Sequence, residues 1–311
     1  MGDKDCDAIA AQSHGLTSKD DDDSHIKQPL NILATLKRIA HLKLTAPKTE
    51  LLRNSIFHML SQVNYERECG ASLILALREY FDAKCNTFKF NSDTSLKLCS
   101  KEAAVVLGME DRGKDFNPFH YRSYFPRFLV EQNGGSEKIL TKFTDSDNEL
   151  QFRKLLIFFF IDQFLFALSN KHPRCSLWGI VEDLDEAESI NWPKATLQFI
   201  YEELAKLDVE KALSNGQTVG AAFPVLKVMV FERISVLQPS LHTSVAPLLQ
   251  KYNTDKLKLK DWRQKLRELM PENISPCEFC DKDVNEGVGE AVKEGFGEAV
   301  DDRLTKTPRI I

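Results

Sequence analysis

The stretch Leu155–Leu168, LLIFFFIDQFLFAL, is apolar on all sides and is interrupted only by Asp162 and Gln163. At about 14 residues it falls short of the roughly 20 that a helix needs to cross a bilayer. A helix that is apolar all round and too short to span a membrane has to be enclosed by protein. The chain is long enough to enclose it. With 311 residues, about three quarters of the unfolded surface can be buried, so a core needs no metal or disulfide staple. A hydrophobic fraction of 42% and a charged fraction of 28% exclude a chain disordered throughout, a collagen and a disulfide mini-protein.

Helical periodicity recurs on both sides of this stretch. Leu30–Leu44 sets Ile32, Leu33, Leu36, Ile39 and Leu44 on one stripe. Thr49–Val63 is a second helix, with Pro47 just ahead of it, and Ala71–Phe81 is a third. The period then changes to two. Phe88 and Phe90 point inward around Lys89, and Leu96 and Leu98 around Lys97. With the Asn91–Thr94 turn between them, this predicts a β-hairpin. Ser100 is placed to cap a helix over Lys101–Leu107, and Gly108 to end it in a left-handed conformation. Gly113 lies in the polar turn Glu110–Lys114.

Phe152–Ser169 is the enclosed helix, and its Asp162 is expected to be an internal salt bridge to Arg153, Lys171 or Arg233, since a buried carboxylate must be paired or protonated. Asn191 can cap a helix that carries Pro193 near its start and runs to about Leu207. Trp192, beside that cap, is expected to anchor the helix against the Phe152–Leu168 stretch. Ala222–Leu237 is a further apolar helix. Lys256–Met270 is a basic amphipathic helix whose Lys256, Lys258, Lys260, Arg263, Lys265 and Arg267 are candidate nucleic-acid contacts. Six aromatic residues lie between Phe116 and Phe128. They are read as rings pinning a loop, with a base-stacking surface as the other reading.

The charge is uneven. The net value is −5, with −5 in Met1–His25 and −7 in Cys277–Asp302. Three basic residues beyond add +3 and leave Ile26–Pro276 at +4, too little to imply a nucleic-acid surface by itself. Acidic, aromatic-poor ends of this kind are expected to be disordered. The second also holds the short repeat GVGEAV and GFGEAV, too few copies for a solenoid. The expected organisation is therefore mainly α: a compact multi-helix domain over 28–276 with one small β-hairpin, between disordered acidic tails at 1–27 and 277–311.

The seven cysteines are irregularly spaced. Cys69, Cys85, Cys99 and Cys175 sit among apolar residues as buried free thiols do, and no apolar leader follows Met1, so a reducing compartment is expected. Cys277-Glu-Phe-Cys280 has the spacing of a zinc-ligand pair, but there is no second such pair, and it is read as non-functional tail. The acidic run Glu182 to Glu188 is read as a solvated helix edge, with a magnesium site as the other reading. Phosphate-loop, dinucleotide, serine-hydrolase and zinc-protease motifs are absent. No catalytic, cofactor-binding or metal-binding residue is therefore assigned, and no cofactor.

The order of the central pieces resembles the plant mobile domain group. The residues that carry this are Phe88-Lys-Phe, Leu96-Lys-Leu-Cys-Ser-Lys-Glu-Ala-Ala-Val-Val-Leu-Gly-Met with Gly113 after it, the Phe152–Leu168 helix, Val181-Glu-Asp-Leu-Asp, Ile190-Asn-Trp192 and Gly220-Ala-Ala-Phe-Pro-Val-Leu. The group comprises the aminotransferase-like plant mobile domain and a related domain found beside SUMO-protease-like domains in plant Mutator-type transposons. Ser100, Glu102 and Ala221 depart from its usual threonine, aspartate and cysteine. The resemblance implies a non-enzymatic, transposon-derived plant protein, acting as a protein-interaction module in nuclear chromatin or silencing processes. Protein partners are expected, with neither a membrane nor a small-molecule substrate. A DNA-binding module and the N-terminal part of a cysteine-peptidase transposon protein are the alternatives, and the cytoplasm is the alternative location.

Overall fold

The structure, a computed structural model, describes residues 36–37, 39–63, 71–118, 148–167, 177–215, 220–241, 248–252 and 257–279. The expected tail 1–27, most of the aromatic loop, and Lys171, Lys256 and Cys280 lie outside the described residues. The chain divides after Cys277, and the fold is that of the unit ending there.

The fold is mainly helical with one small antiparallel sheet. Helix α1 spans Ala46–Arg53 and α2 is the single turn His58–Ser61, where the sequence pattern predicts one helix over 49–63. The break falls at Asn54-Ser55. Ser55 Oγ accepts from the Phe57 N–H at 3.2 Å, and side chains of this type compete locally with the helical ladder. Helix α3, Ala71–Tyr80, runs directly into strand β1, Phe81–Asp82. β1 pairs with β2 (Thr87–Lys89), and β2 with β3 (Ser95–Leu96), in the order β1-β2-β3. The register sets Phe88 opposite both Phe81 and Leu96. The hairpin is thus the outer two-thirds of a three-stranded sheet. The added strand follows from a tight turn in which Asn86 takes φ 51° and Asp82 Oδ1 accepts from the Lys84 N–H at 2.9 Å. Cys85 lies exposed in that turn, which corrects the expectation of a buried thiol there.

Helix α4, Ser100–Leu107, packs against α8 (Trp192–Lys206), α10 (Phe223–Arg233) and the short turn Leu248–Gln250. Its N-cap is Cys99, not Ser100; the Ser100 hydroxyl instead donates to Asp111 Oδ2 at 2.9 Å. Gly108 ends it at φ 67°. A Cβ there would lie 2.6 Å from Met59, so glycine serves both the left-handed cap and the close approach of α2.

Helix α5 covers Glu149–Phe160, started by Asn148, and continues as a π turn over Ile161–Leu165. Leu155 through Ile161 are all buried, as the unbroken apolar run requires. Helix α1 covers one side, with the Lys48 ammonium 5.4 Å from the centre of the Phe152 ring, and α6 (Trp178–Glu182) another, with Trp178 edge-on to Phe158. No helix among the described residues is long and apolar enough to cross a membrane. Helix α7 is Leu184–Glu188 and α9 is Val209–Asn215. Helix α11, Leu259–Arg267, lies on α3.

Candidate functional site

An enclosed ion pair sits where α4 begins. The backbone is extended at Cys99, and its N–H donates to Glu102 Oε2 at 2.7 Å. That is the backbone half of a capping box, with the N3 carboxylate reaching back over the helix start. The other oxygen, Oε1, accepts from Arg233 Nη1 at 2.8 Å. The Arg233 and Glu102 side chains are only 13% and 8% exposed. Arg233 ends α10, and its Nε donates to the Ser275 carbonyl at 2.6 Å, while the Ser275 N–H returns to the Arg233 carbonyl. An antiparallel bridge between Ile234 and Ile274 continues this pairing. Segment 271–277 is thereby laid along the end of α10, and Cys277 is buried with its Sγ 3.7 Å from Cys99 Sγ. Cys277 therefore belongs to the body and not to an acidic tail.

Tyr201 of α8 closes the site from the other side. Its hydroxyl donates to the Leu98 carbonyl at 3.2 Å. Burial pushes the phenol far above its ordinary range, and the neighbouring Glu102 charge adds to the effect. The two sulfurs and a Glu102 oxygen lie within 4.8 Å of one another. Thiolate and carboxylate donors are ligands that zinc accepts.

Two further polar clusters serve packing. Asp111 accepts from the Ser100 hydroxyl and from Asn191 Nδ2, both at 2.9 Å. Asn191 Oδ1 in turn caps α8 by accepting from the Lys194 N–H. Gly113 (φ 117°) lets the loop lie directly on this start, since a Cβ there would sit 2.5 Å from the Ser189 carbonyl oxygen. Glu232 accepts from Lys251 Nζ at 2.7 Å and from the Tyr252 hydroxyl at 2.6 Å. Burial first, then the Glu232 bond, raises the Tyr252 phenol.

Trp192 is 2% exposed. Its ring meets Phe57, Phe116 and Phe166 at 5.8–6.1 Å between centres, and its N–H donates to the Ala187 carbonyl. Asp162 lies in the π turn, 4% exposed, and accepts from Gln163. Two of its three expected cations are engaged elsewhere, Arg153 by Glu188 and Arg233 by Glu102. Three acids of 182–188 act as acceptors. Asp183 caps α7, Glu182 takes the Trp178 N–H and Glu188 takes Arg153.

On α11, Leu259, Trp262 and Leu266 are buried, while Lys258, Lys260, Lys265 and Arg267 are exposed. Arg263 is held by Glu79 of α3 at 2.8 Å, and Lys265 lies 6.0 Å over the Trp262 ring.

Sequence reasoning did not gather Cys99, Glu102, Tyr201, Arg233 and Cys277 into one place. Only the Cys99-x-x-Glu102 spacing is local. The two cysteines stand 178 residues apart, and nothing in the periodicity pairs them.

No curated protein and no solved structure matches the chain. A family model described as a domain of unknown function, DUF8566, matches residues 34–220, which takes in the sheet, α4, α5 and α8 and stops short of Arg233 and Cys277. With more than half its length inside that match, the chain belongs to the DUF8566 family.

Proposed function

We propose that the chain is a non-enzymatic interaction module of transposon ancestry, acting in the nucleus, and that it binds an acidic protein segment on the outer face of α11. The observation that carries this reading is the division of that helix. Its apolar side is buried on the body, and Lys258, Lys260, Lys265 and Arg267 face outward. Facing charges of opposite sign steer and register a partner more than they add affinity. The bonding of one buried and two half-buried acids supports the non-enzymatic part. Glu102, Asp111 and Glu232 are each bonded to groups from other elements, so they brace the fold. The ordered motifs that resemble the plant mobile domain group support the ancestry and the nuclear location.

A nucleic-acid partner would use the same face. Its charge favours the protein reading: Glu79 already holds Arg263, and the chain is −5 overall. Duplex binders commonly neutralise about 6–10 phosphates, more than this face offers. Fluorescence anisotropy with a labelled acidic peptide and, in parallel, a labelled DNA duplex tests the proposal. Peptide binding should weaken with salt. It should fall by about tenfold or more, equivalent to about 1.4 kcal/mol, when Lys258, Lys260, Lys265 and Arg267 are all changed to Glu. Absence of peptide binding at low salt, or equal binding by the variant, would refute it, and tighter binding of the duplex would put nucleic acid in its place.

A further inference from the structure

We propose that Cys99, Glu102 and Cys277 bind a zinc ion that ties the start of α4 to segment 271–277. The sulfur separation carries the argument. Zinc–sulfur bonds are about 2.3 Å, and two sulfurs on one tetrahedral ion stand about 3.8 Å apart. Cys99 and Cys277 place theirs at 3.7 Å. A disulfide needs about 2.05 Å, so each half of the chain would have to move toward the other. For zinc the spacing is already in place.

The carboxylate is prepared in the way ligating carboxylates are. Its two oxygens are oriented by the Cys99 N–H and by Arg233, and outer contacts of this kind fix a ligand and tune its metal. Each oxygen keeps a lone pair for the ion. The positive end of α4 favours the negative charge of a Cys99 thiolate. The charges also close. Zinc and the Arg233 guanidinium carry +3 against −3 on two thiolates and the Glu102 carboxylate. One zinc ion replaces two thiol protons, which leave to solvent, and the buried cluster stays neutral before and after. Two thiolates select a borderline-soft ion such as zinc over magnesium or calcium. The fourth position is completed by a water molecule from solvent, as zinc accepts. The bond would close a span of 178 residues, and metal affinity would become folding free energy.

The test uses the full chain, purified without chelator or added metal. Elemental analysis should find zinc equimolar with the chain. After chelation the melting midpoint should fall, and added cobalt should give a thiolate-to-metal charge-transfer band. Cys99→Ser and Cys277→Ser should lose both zinc and band, whereas Cys85→Ser, in the exposed turn, should keep both. Glu102→Gln should weaken zinc by at least about tenfold, the loss seen even for outer-shell partners. A metal-free chain that gives no cobalt band refutes the site. So does a band that survives loss of either sulfur, unchanged zinc affinity in Glu102→Gln, or a Cys99–Cys277 disulfide in the freshly isolated chain. The cobalt spectrum of the unaltered chain decides the matter even where a cysteine variant fails to fold.

Discussion

Arg233 is the residue on which the C-terminal half of the fold turns. It neutralises Glu102 and holds Ser275 by two bonds, its guanidinium Nε donating to the Ser275 carbonyl and its own carbonyl accepting from the Ser275 N–H. Removing one partner of a buried ion pair typically costs about 3–5 kcal/mol, because a charge stays buried without its counterion. Arg233→Met should therefore lose stability of that order in urea titration, and an unchanged midpoint would show the pair to be solvated. Trp192 is the second such position. Its ring is enclosed by Phe57, Phe116 and Phe166. Truncation of a buried tryptophan to alanine costs roughly 3–5 kcal/mol, against about 5–15 kcal/mol for a whole domain. Trp192→Ala should melt at a much lower temperature or aggregate; a wild-type midpoint would mean that the ring contributes little to packing.

At the scale of elements, the two glycines and the sheet give separable predictions. Gly113→Ala should cost more than Gly108→Ala. The new Cβ at 113 meets backbone atoms of Ser189, Ile190 and Asn191 at a φ of 117° that suits only glycine, whereas at 108 it meets Cβ and Cγ of Met59, on the single-turn helix α2, at a φ of 67° that other residues can adopt. The first should exceed about 2 kcal/mol, within the range for a forced backbone conformation, and equal melting midpoints would contradict this. In the sheet, the Lys89 ammonium, and then the Lys84 N–H, hold the Asp82 carboxyl down at about 2 from an ordinary 3.8. A carboxyl lowered by folding contributes stability above its unfolded value and loses it as pH falls through the folded one. Asp82→Asn should therefore loosen the β1–β2 turn at neutral pH and make no difference below about pH 2. Carboxyl-carbon NMR of Asp82 through the acid range checks it, and a midpoint near 3.8 would contradict it.

These elements differ in how far the sequence disclosed them. The β2–β3 pair was legible because Phe88, Phe90, Leu96 and Leu98 alternate strictly with polar neighbours. The α4 end was legible because glycine is the ordinary left-handed cap. β1 was not, since Phe81–Asp82 is two residues long and carries no period. The split of 49–63 was hidden because its apolar spacing continues across Asn54-Ser55, where side-chain hydrogen bonds decide. The Cys99–Glu102–Arg233–Cys277 cluster was invisible for a different reason: its members are joined only by the packing of α10 and segment 271–277 onto α4.

For the whole molecule, one hub holds distant parts of the chain. Helix α4 receives α8 and α10 along its length, and at its start takes in segment 271–277 through Glu102, Arg233 and Cys277. Segment 271–277 lies beyond the matched family segment, yet it pairs with α10 as part of one body. The exposed basic side of α11 is carried on α3. The most direct measurement is native-state amide exchange by NMR at Cys99 and Ser275. The Cys99 N–H is bonded to Glu102 and the Ser275 N–H to the Arg233 carbonyl. Amides that open only with a shared cooperative unit exchange with the same free energy. Both should be protected in the intact chain, and Arg233→Met should reduce their protection together. A Ser275 amide that exchanges at the unprotected rate while the interior of α4 stays protected would contradict the account, because segment 271–277 would then not be part of the body.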